Sequence, residues 1–240
     1  MAQDEVDAHV RRLWRHRGTT VPLPRRGPRG ELDLDQILAA AIALADASGL
    51  AAVSTRALAT RFGKTPMALY AYVGSKANLL ELMQDQAHTM PTWDDPGTGL
   101  PDDLLAWSSA LFDLYLTHPW LLTRGWSQAG QGPHEQDWLE RLLTILHTGA
   151  VPPAARSAAV TMLYATVRAT AETAADYRDL TPSDAATWRA RAAATRRLIP
   201  DFTARYPQST SLPAPTDWTE APRAGLTAAV HLNATLGQDR

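Results

Sequence analysis

From Leu34 onward, apolar side chains recur at the three-to-four-residue spacing of a helix buried on one face. Leu34, Ile37, Leu38, Ala41, Ile42 and Ala45 mark the first such face, which Gly49 ends. A second helix is predicted from Thr55 to Phe62, capped by Ser54 or Thr55, with Gly63 just past its end. Thr65 followed by Pro66 announces a third, because proline at the first helical position loses only an amide that had no partner. This short helix ends near Val73 and Gly74. Ser75 then caps a fourth, with Leu79, Leu82, Met83 and Gln86 as its inward face. Further helices are expected at 102–117, 119–127, 134–148, 153–178, 183–198 and 218–236. Ahead of Leu34, Val6, Val10, Leu13 and Trp14 allow a short amphipathic helix stopped by Gly18, and the Pro/Gly-rich stretch after it favours an extended arm. The fold class is all-α, and 240 residues are ample for a buried core.

Composition removes several function classes. The chain has no cysteine, which excludes disulfides, thiolate metal sites and a cysteine nucleophile. No apolar run approaches the ~18 residues of a membrane span, and charges occupy the place of a signal peptide's apolar region, so a cytoplasmic protein is expected. The seven histidines are scattered without metal-ligand spacing, and neither a G-x-S-x-G motif nor a dinucleotide loop is present. No enzyme chemistry and no cofactor is expected. Net charge is only −2, but residues 1–76 hold eleven Lys/Arg against seven Asp/Glu, whereas residues 77–240 hold twelve against eighteen. Arg11, Arg12, Arg15, Arg17, Arg25, Arg26 and Arg29 follow one another with no acid between them, and Arg56, Arg61, Lys64 and Lys76 form a second acid-free group. This asymmetry points to a polyanion bound by the N-terminal part.

Gly63-Lys64-Thr65 invites a nucleotide-loop reading, but such a loop follows a strand and needs another glycine five residues earlier, where Leu58 sits within a helical pattern. The triplet is instead the turn between two short helices, the layout of a helix-turn-helix. The region from Asp35 to Met83, and above all Ser54 to Lys76, resembles the DNA-binding region of the TetR family of bacterial transcriptional regulators. Thr55-Arg56 before Ala57-Leu58-Ala59, the Gly63 turn, Ala68-Leu69-Tyr70, Tyr72 and Lys76 carry the resemblance. His118 to Leu121 and the arginine-rich lead-in look like a subgroup found beside antibiotic biosynthesis and export.

The resemblance implies a basic arm at 1–30, a helix-turn-helix domain at 31–90 and a ligand-binding and dimerisation domain at 91–240. By matching position, Thr65, Pro66, Met67 and Ala68 would face bases. Tyr70, Tyr72 and Lys76 would touch phosphates or flank the readout, and Thr55 and Arg56 would contact backbone or guanine. Pro66, Met67 and Ala68 offer little hydrogen bonding, so readout would lean on thymine methyls and Arg56. Tyr70 and Tyr72 could equally pack on the first helix. Arg25, Arg26 and Arg29 could enter a minor groove or form a plain disordered tail.

For the C-terminal part the resemblance implies a homodimer and a small hydrophobic or polycyclic effector. Trp107, Leu111, Tyr115, Trp120, Trp126, Trp138, Met162, Tyr164, Arg168 and Glu172 are the pocket candidates, although tryptophans at helical spacing are usually core and Arg168 with Glu172 suits a surface ion pair. The face carrying Val160, Leu163, Tyr164, Val167 and Ala171, with Leu226, Ala229, Val230, Leu232 and Leu236, would pair across the twofold in a four-helix interface. The implied function is a repressor that leaves a palindromic operator when the effector binds. An activator of the same family, or a helical small-molecule-binding or enzymatic protein that does not bind DNA, remains the alternative.

Overall fold

The computed structural model describes residues 3–21, 32–92, 99–125, 130–212 and 220–236, and every regular element among them is helical. Asp33 opens the bundle with a capping box: its carboxylate accepts the Gln36 amide at 2.7 Å while the Gln36 side chain accepts the Asp33 amide at 3.3 Å. Helix α2 (Leu34–Ser48) buries Ile37, Leu38, Ala41 and Ala45. Helices α3 (Thr55–Arg61) and α4 (Pro66–Val73) follow, capped by Ser54 and Thr65. The turn between them runs through Gly63 at φ +61°, and the Lys64 amide closes it onto the Ala59 carbonyl at 2.9 Å. Helix α5 (Lys76–Ala87), capped by Ser75, sets Leu79, Leu82 and Met83 beneath α2 and α4. Gln86, expected on that inward face, instead accepts Arg15 at 2.7 Å, while Gln84 and Asp85 are the buried polar residues. The cause is that α5 packs on two sides, so its second face turns to the C-terminal bundle.

The amphipathic N-terminal segment forms α1 (Gln3–Leu13) and is strapped to the body of the protein. Leu13 is buried, His9 Nε2 lies 2.7 Å from Glu81 Oε2, and Arg15 reaches Asp35 at 2.6 Å. Arg17 meets Asp137 at 2.5 Å. Two arginines of the acid-free run are therefore spent on acids distant in sequence, a pairing that linear charge patterning does not reveal.

The C-terminal bundle comprises α6 (Leu100–Thr117), α7 (Pro133–Thr148), α8 (Pro153–Arg178) and α12 (Ala221–Leu236), with α6, α8 and α12 packed on one another. Between α6 and α7 the described residues include a 3-10 turn at Pro119–Thr123, where a helix is expected at 119–127. Helices α9 (Pro182–Leu198), α10 (Phe202–Arg205) and α11 (Pro207–Ser211) follow α8, and no residue of α9 is fully buried. The last two had not been expected; Pro207 ends one short helix and starts the next.

Leu163, Val167 and Ala171 of α8 face inward, as do Leu226 and Val230 of α12. These five of the residues expected at the dimer contact are thus core of a single subunit, whereas Leu232 of the same expected face is not. Met162 and Leu232, 40 % and 65 % exposed, lie outward on the same helices. The shift is one of helical phase: neighbours along a helix differ by ~100°, so Met162 faces away from Leu163. No helix is long and apolar enough to cross a membrane among the described residues.

Candidate nucleic-acid interface and internal cavity

The N-terminal end of α4 stands proud of the bundle. Leu69 and Val73 anchor its inner face, Pro66 is at the first helical position, and the Thr65 hydroxyl accepts the Ala68 amide at 3.2 Å. Thr65, Pro66 and Met67 are exposed, Met67 at 77 %, and Ala68 is half-buried. Arg56 on α3 and Lys76 at the start of α5 are exposed around them. Tyr70 and Tyr72 are half-buried against the core, and the Tyr70 hydroxyl lies 3.3 Å from the Thr55 hydroxyl, tying α4 to α3. Arg61, of the second acid-free group, is exposed as well, as are Thr60 and Ala71, which no motif singles out. Such an apolar, small-residue helix end rimmed by cations can enter a major groove and meet phosphates at its edges. Arg25, Arg26 and Arg29 lie outside the described residues.

A cavity of about 240 Å³ opens where α5 meets the C-terminal bundle. Tyr115, Trp138, Tyr164 and Arg168 of the candidate residues line it, together with the apolar side chains of Leu121, Leu139 and Val160. The other candidates lie elsewhere. Trp107 is fully buried behind the wall and donates Nε1–H to the Trp138 carbonyl at 3.1 Å, its ring edge-on to Trp138 and Tyr164. Leu111 is core. Trp120 donates to Asp46 of α2 at 2.8 Å, and His118 Nδ1 approaches the same oxygen at 2.8 Å, so this turn fastens the two bundles together. Met162 faces outward, and Glu172 pairs with Arg168 at 3.1 Å on the exposed side. Trp126 lies outside the described residues.

Apart from Arg168, the charged and amide groups of the lining come from residues that no motif or spacing singles out. Arg124 donates to Gln84 Oε1 at 2.5 Å, and Gln84 Nε2 donates to Glu135 at 2.8 Å. His88 donates Nδ1–H to the Gln84 carbonyl at 2.7 Å, and burial drives its pKa down to about 4, so the ring is neutral. Burial raises Glu135 and lowers Arg124 from their ordinary values. It also pushes the Tyr115 hydroxyl up to about 12.

Next to this network, Asp85 of α5 accepts the His134 and Glu135 amides at 2.9 and 3.2 Å. These amides open α7, which has no side-chain cap of its own. The approach needs Gly132, because a Cβ there would lie 2.2 Å from the Asp85 carboxyl.

A helix-turn-helix with an exposed reading end, set on a larger helical bundle that holds a cavity, defines a DNA-binding regulator of the one-chain sensor type. Residues 37–83 match the family described as bacterial regulatory proteins, tetR family. The HTH-type transcriptional repressor DrrR1 of Streptomyces coeruleorubidus is 32 % identical over 202 residues, covering 79 % of this chain and 72 % of its own. An HTH-type transcriptional regulator of Saccharopolyspora erythraea is 30 % identical over 106 residues, 43 % of this chain and 44 % of that one. The Streptomyces coelicolor TetR family protein ActR, solved in complex with actinorhodin, superposes with a TM-score of 0.71 at 22 % identity, covering 88 % of this chain and all of that one. Mycobacterium smegmatis BioQ does so with a TM-score of 0.57 at 22 % identity, over 86 % and 100 % of the two chains. These two likenesses concern the fold. The chain belongs to the tetR family of bacterial regulatory proteins; it is a helix-turn-helix transcriptional repressor and not an enzyme.

Proposed function

We propose that this repressor binds a palindromic operator as a homodimer and leaves it when a small aromatic effector fills the cavity. The observation that carries this reading is the double duty of α5. Leu79, Leu82 and Met83 of α5 pack in the core beneath the reading helix, while Gln84 and His88 line the cavity and Asp85 caps α7. An effector that binds better when these contacts are repositioned moves α5, and with it α4, by as much as its differential affinity allows. Two α4 ends must match half-sites about one helical turn, ~34–36 Å, or a multiple apart, so a small tilt is enough to break the match.

In this reading Thr65, Pro66, Met67 and Ala68 meet base edges. Arg56 reads guanine or phosphate, and Thr55, Tyr70, Tyr72 and Lys76 hold the backbone. Arg25, Arg26 and Arg29 enter the adjacent minor groove. Tyr115, Trp138, Tyr164 and Arg168 contact the effector. The outward faces of α8 and α12, with Met162 and Leu232, form the dimer contact, and the protein works in the cytoplasm.

Selection of duplexes from a random pool by the purified protein tests the reading. Enrichment of an inverted repeat is expected; an enriched site lacking twofold symmetry, or none at all, would refute it.

A further inference from the structure

The cavity is amphipathic in a way that specifies the charge of its occupant. Arg124 follows directly on the Pro119–Thr123 turn, and Arg168 donates from Nη2 to the Leu122 carbonyl in that same turn. Two guanidiniums are thereby brought to one wall of the cavity. The residue Arg124 is 8 % exposed and the Arg168 side chain 20 %. The carboxylate that shares the lining, Glu135, has both oxygens engaged by the wall itself: Oε1 accepts from Gln84 at 2.8 Å and Oε2 from the Gln131 amide at 3.0 Å. Glu172, which pairs with Arg168, is outside the lining, and its side chain is 49 % exposed. The rest of the wall is aromatic and aliphatic, led by Tyr115, Trp138 and Tyr164. Two guanidiniums on a lining partly withdrawn from water can each donate charge-assisted hydrogen bonds to the oxygens of a ligand anion.

We infer that the effector is an aromatic acid whose anionic oxygens lie between Arg124 and Arg168 while its ring system packs on Trp138, Tyr115 and Tyr164. The inference rests on the effector-release reading and narrows it. Positively charged aromatics are disfavoured by the same two residues, and a neutral isostere gains only the apolar contacts. The guanidinium is suited to this task because its fixed fork can engage both oxygens of a carboxylate.

The test compares three probes of one shape, 2-naphthoate, 2-naphthalenemethanol and 2-naphthylmethylammonium, by calorimetric titration of the full chain and by displacement of a selected operator duplex. The acid is expected to bind the unaltered protein about tenfold or more tighter than the alcohol, since a hydrogen bond to a charged group contributes about that factor or more. Arg124→Gln and Arg168→Gln should each erase most of that preference, and Arg168→Lys should keep part of it. Equal binding of acid and alcohol, or tightest binding of the ammonium probe, overturns the inference whether or not either variant folds. Binding of none of the three overturns it too. An acid that binds in an arginine-dependent way but leaves the operator complex intact supports the anion site and sinks the release reading, so the two failures are distinguishable.

Discussion

Replacing Asp85 by asparagine should make the protein more stable at neutral pH, although it removes a helix-capping carboxylate. In the folded protein Asp85 is 2 % exposed and accepts two backbone amides at the start of α7. Burial outweighs those two bonds, and its pKa rises from 3.8 to about 7. Across that interval the unfolded chain has already lost the proton that the folded chain retains, so stability falls as pH rises. The loss amounts to roughly 4 kcal/mol at most, complete near pH 7.

Asparagine keeps an acceptor oxygen for the two amides and carries no charge. The difference in unfolding free energy, variant minus parent, should be near zero at about pH 4 and rise by a few kcal/mol toward about pH 7, then stay level. His88 acts in the opposite sense. Its pKa is lowered by burial from 6.5 to about 4, so the stability it contributes above pH 6.5 is lost as pH falls through that range. Because His88 is present in both proteins, it cancels from the difference. Urea unfolding followed by tryptophan fluorescence at a fixed protein concentration gives the two curves. Parallel curves, with the same difference at every pH, would refute the reasoning. Asp85→Ala is the control: it orphans both amides and should cost about 2–4 kcal/mol near pH 4, where the parent residue is protonated.

Gly132→Ala should destabilise the folded state by about 1–3 kcal/mol in the same unfolding assay, because the new Cβ would meet the Asp85 carboxyl at 2.2 Å and force α5 and α7 apart. Arg56→Ala should lower operator affinity, and anisotropy titrations tell its role: loss on every duplex with a salt slope reduced by about one indicates a phosphate contact, whereas relaxed preference at one base pair indicates guanine readout. Charging the outward face of the long helices with Met162→Glu and Leu232→Glu should turn the proposed dimer into a monomer in sedimentation equilibrium and abolish tight operator binding, while the helical circular dichroism spectrum is retained.

The DNA-reading half was legible in the sequence because its signals are local. Ser54, Thr65 and Ser75 cap the helices they precede, and Gly63 and Gly74 supply the positive φ that the turns demand. The cavity was only half legible. Tyr115, Trp138, Tyr164 and Arg168 could be picked out as aromatic or charged residues on helices, but Gln84, Arg124 and Glu135 become a network only when α5 and α7 meet. No linear spacing records that meeting. The same holds for Trp120, whose indole is taken up by Asp46, 74 positions away. Met162, expected at the pocket, lies outward, and Leu163, Val167 and Ala171, expected at a dimer contact, are core, because a helix like α8, polar and apolar residues mixed all round, does not declare which side meets its own subunit.

The most direct test of the account is an anisotropy titration of the pool-selected palindrome and of a scrambled duplex of equal length, repeated at several salt concentrations. The account predicts two chains per palindrome, binding about 10³-fold or more tighter than to the scrambled duplex, and affinity that falls steeply as salt rises. Equal affinity for both duplexes, or binding indifferent to salt, would contradict it.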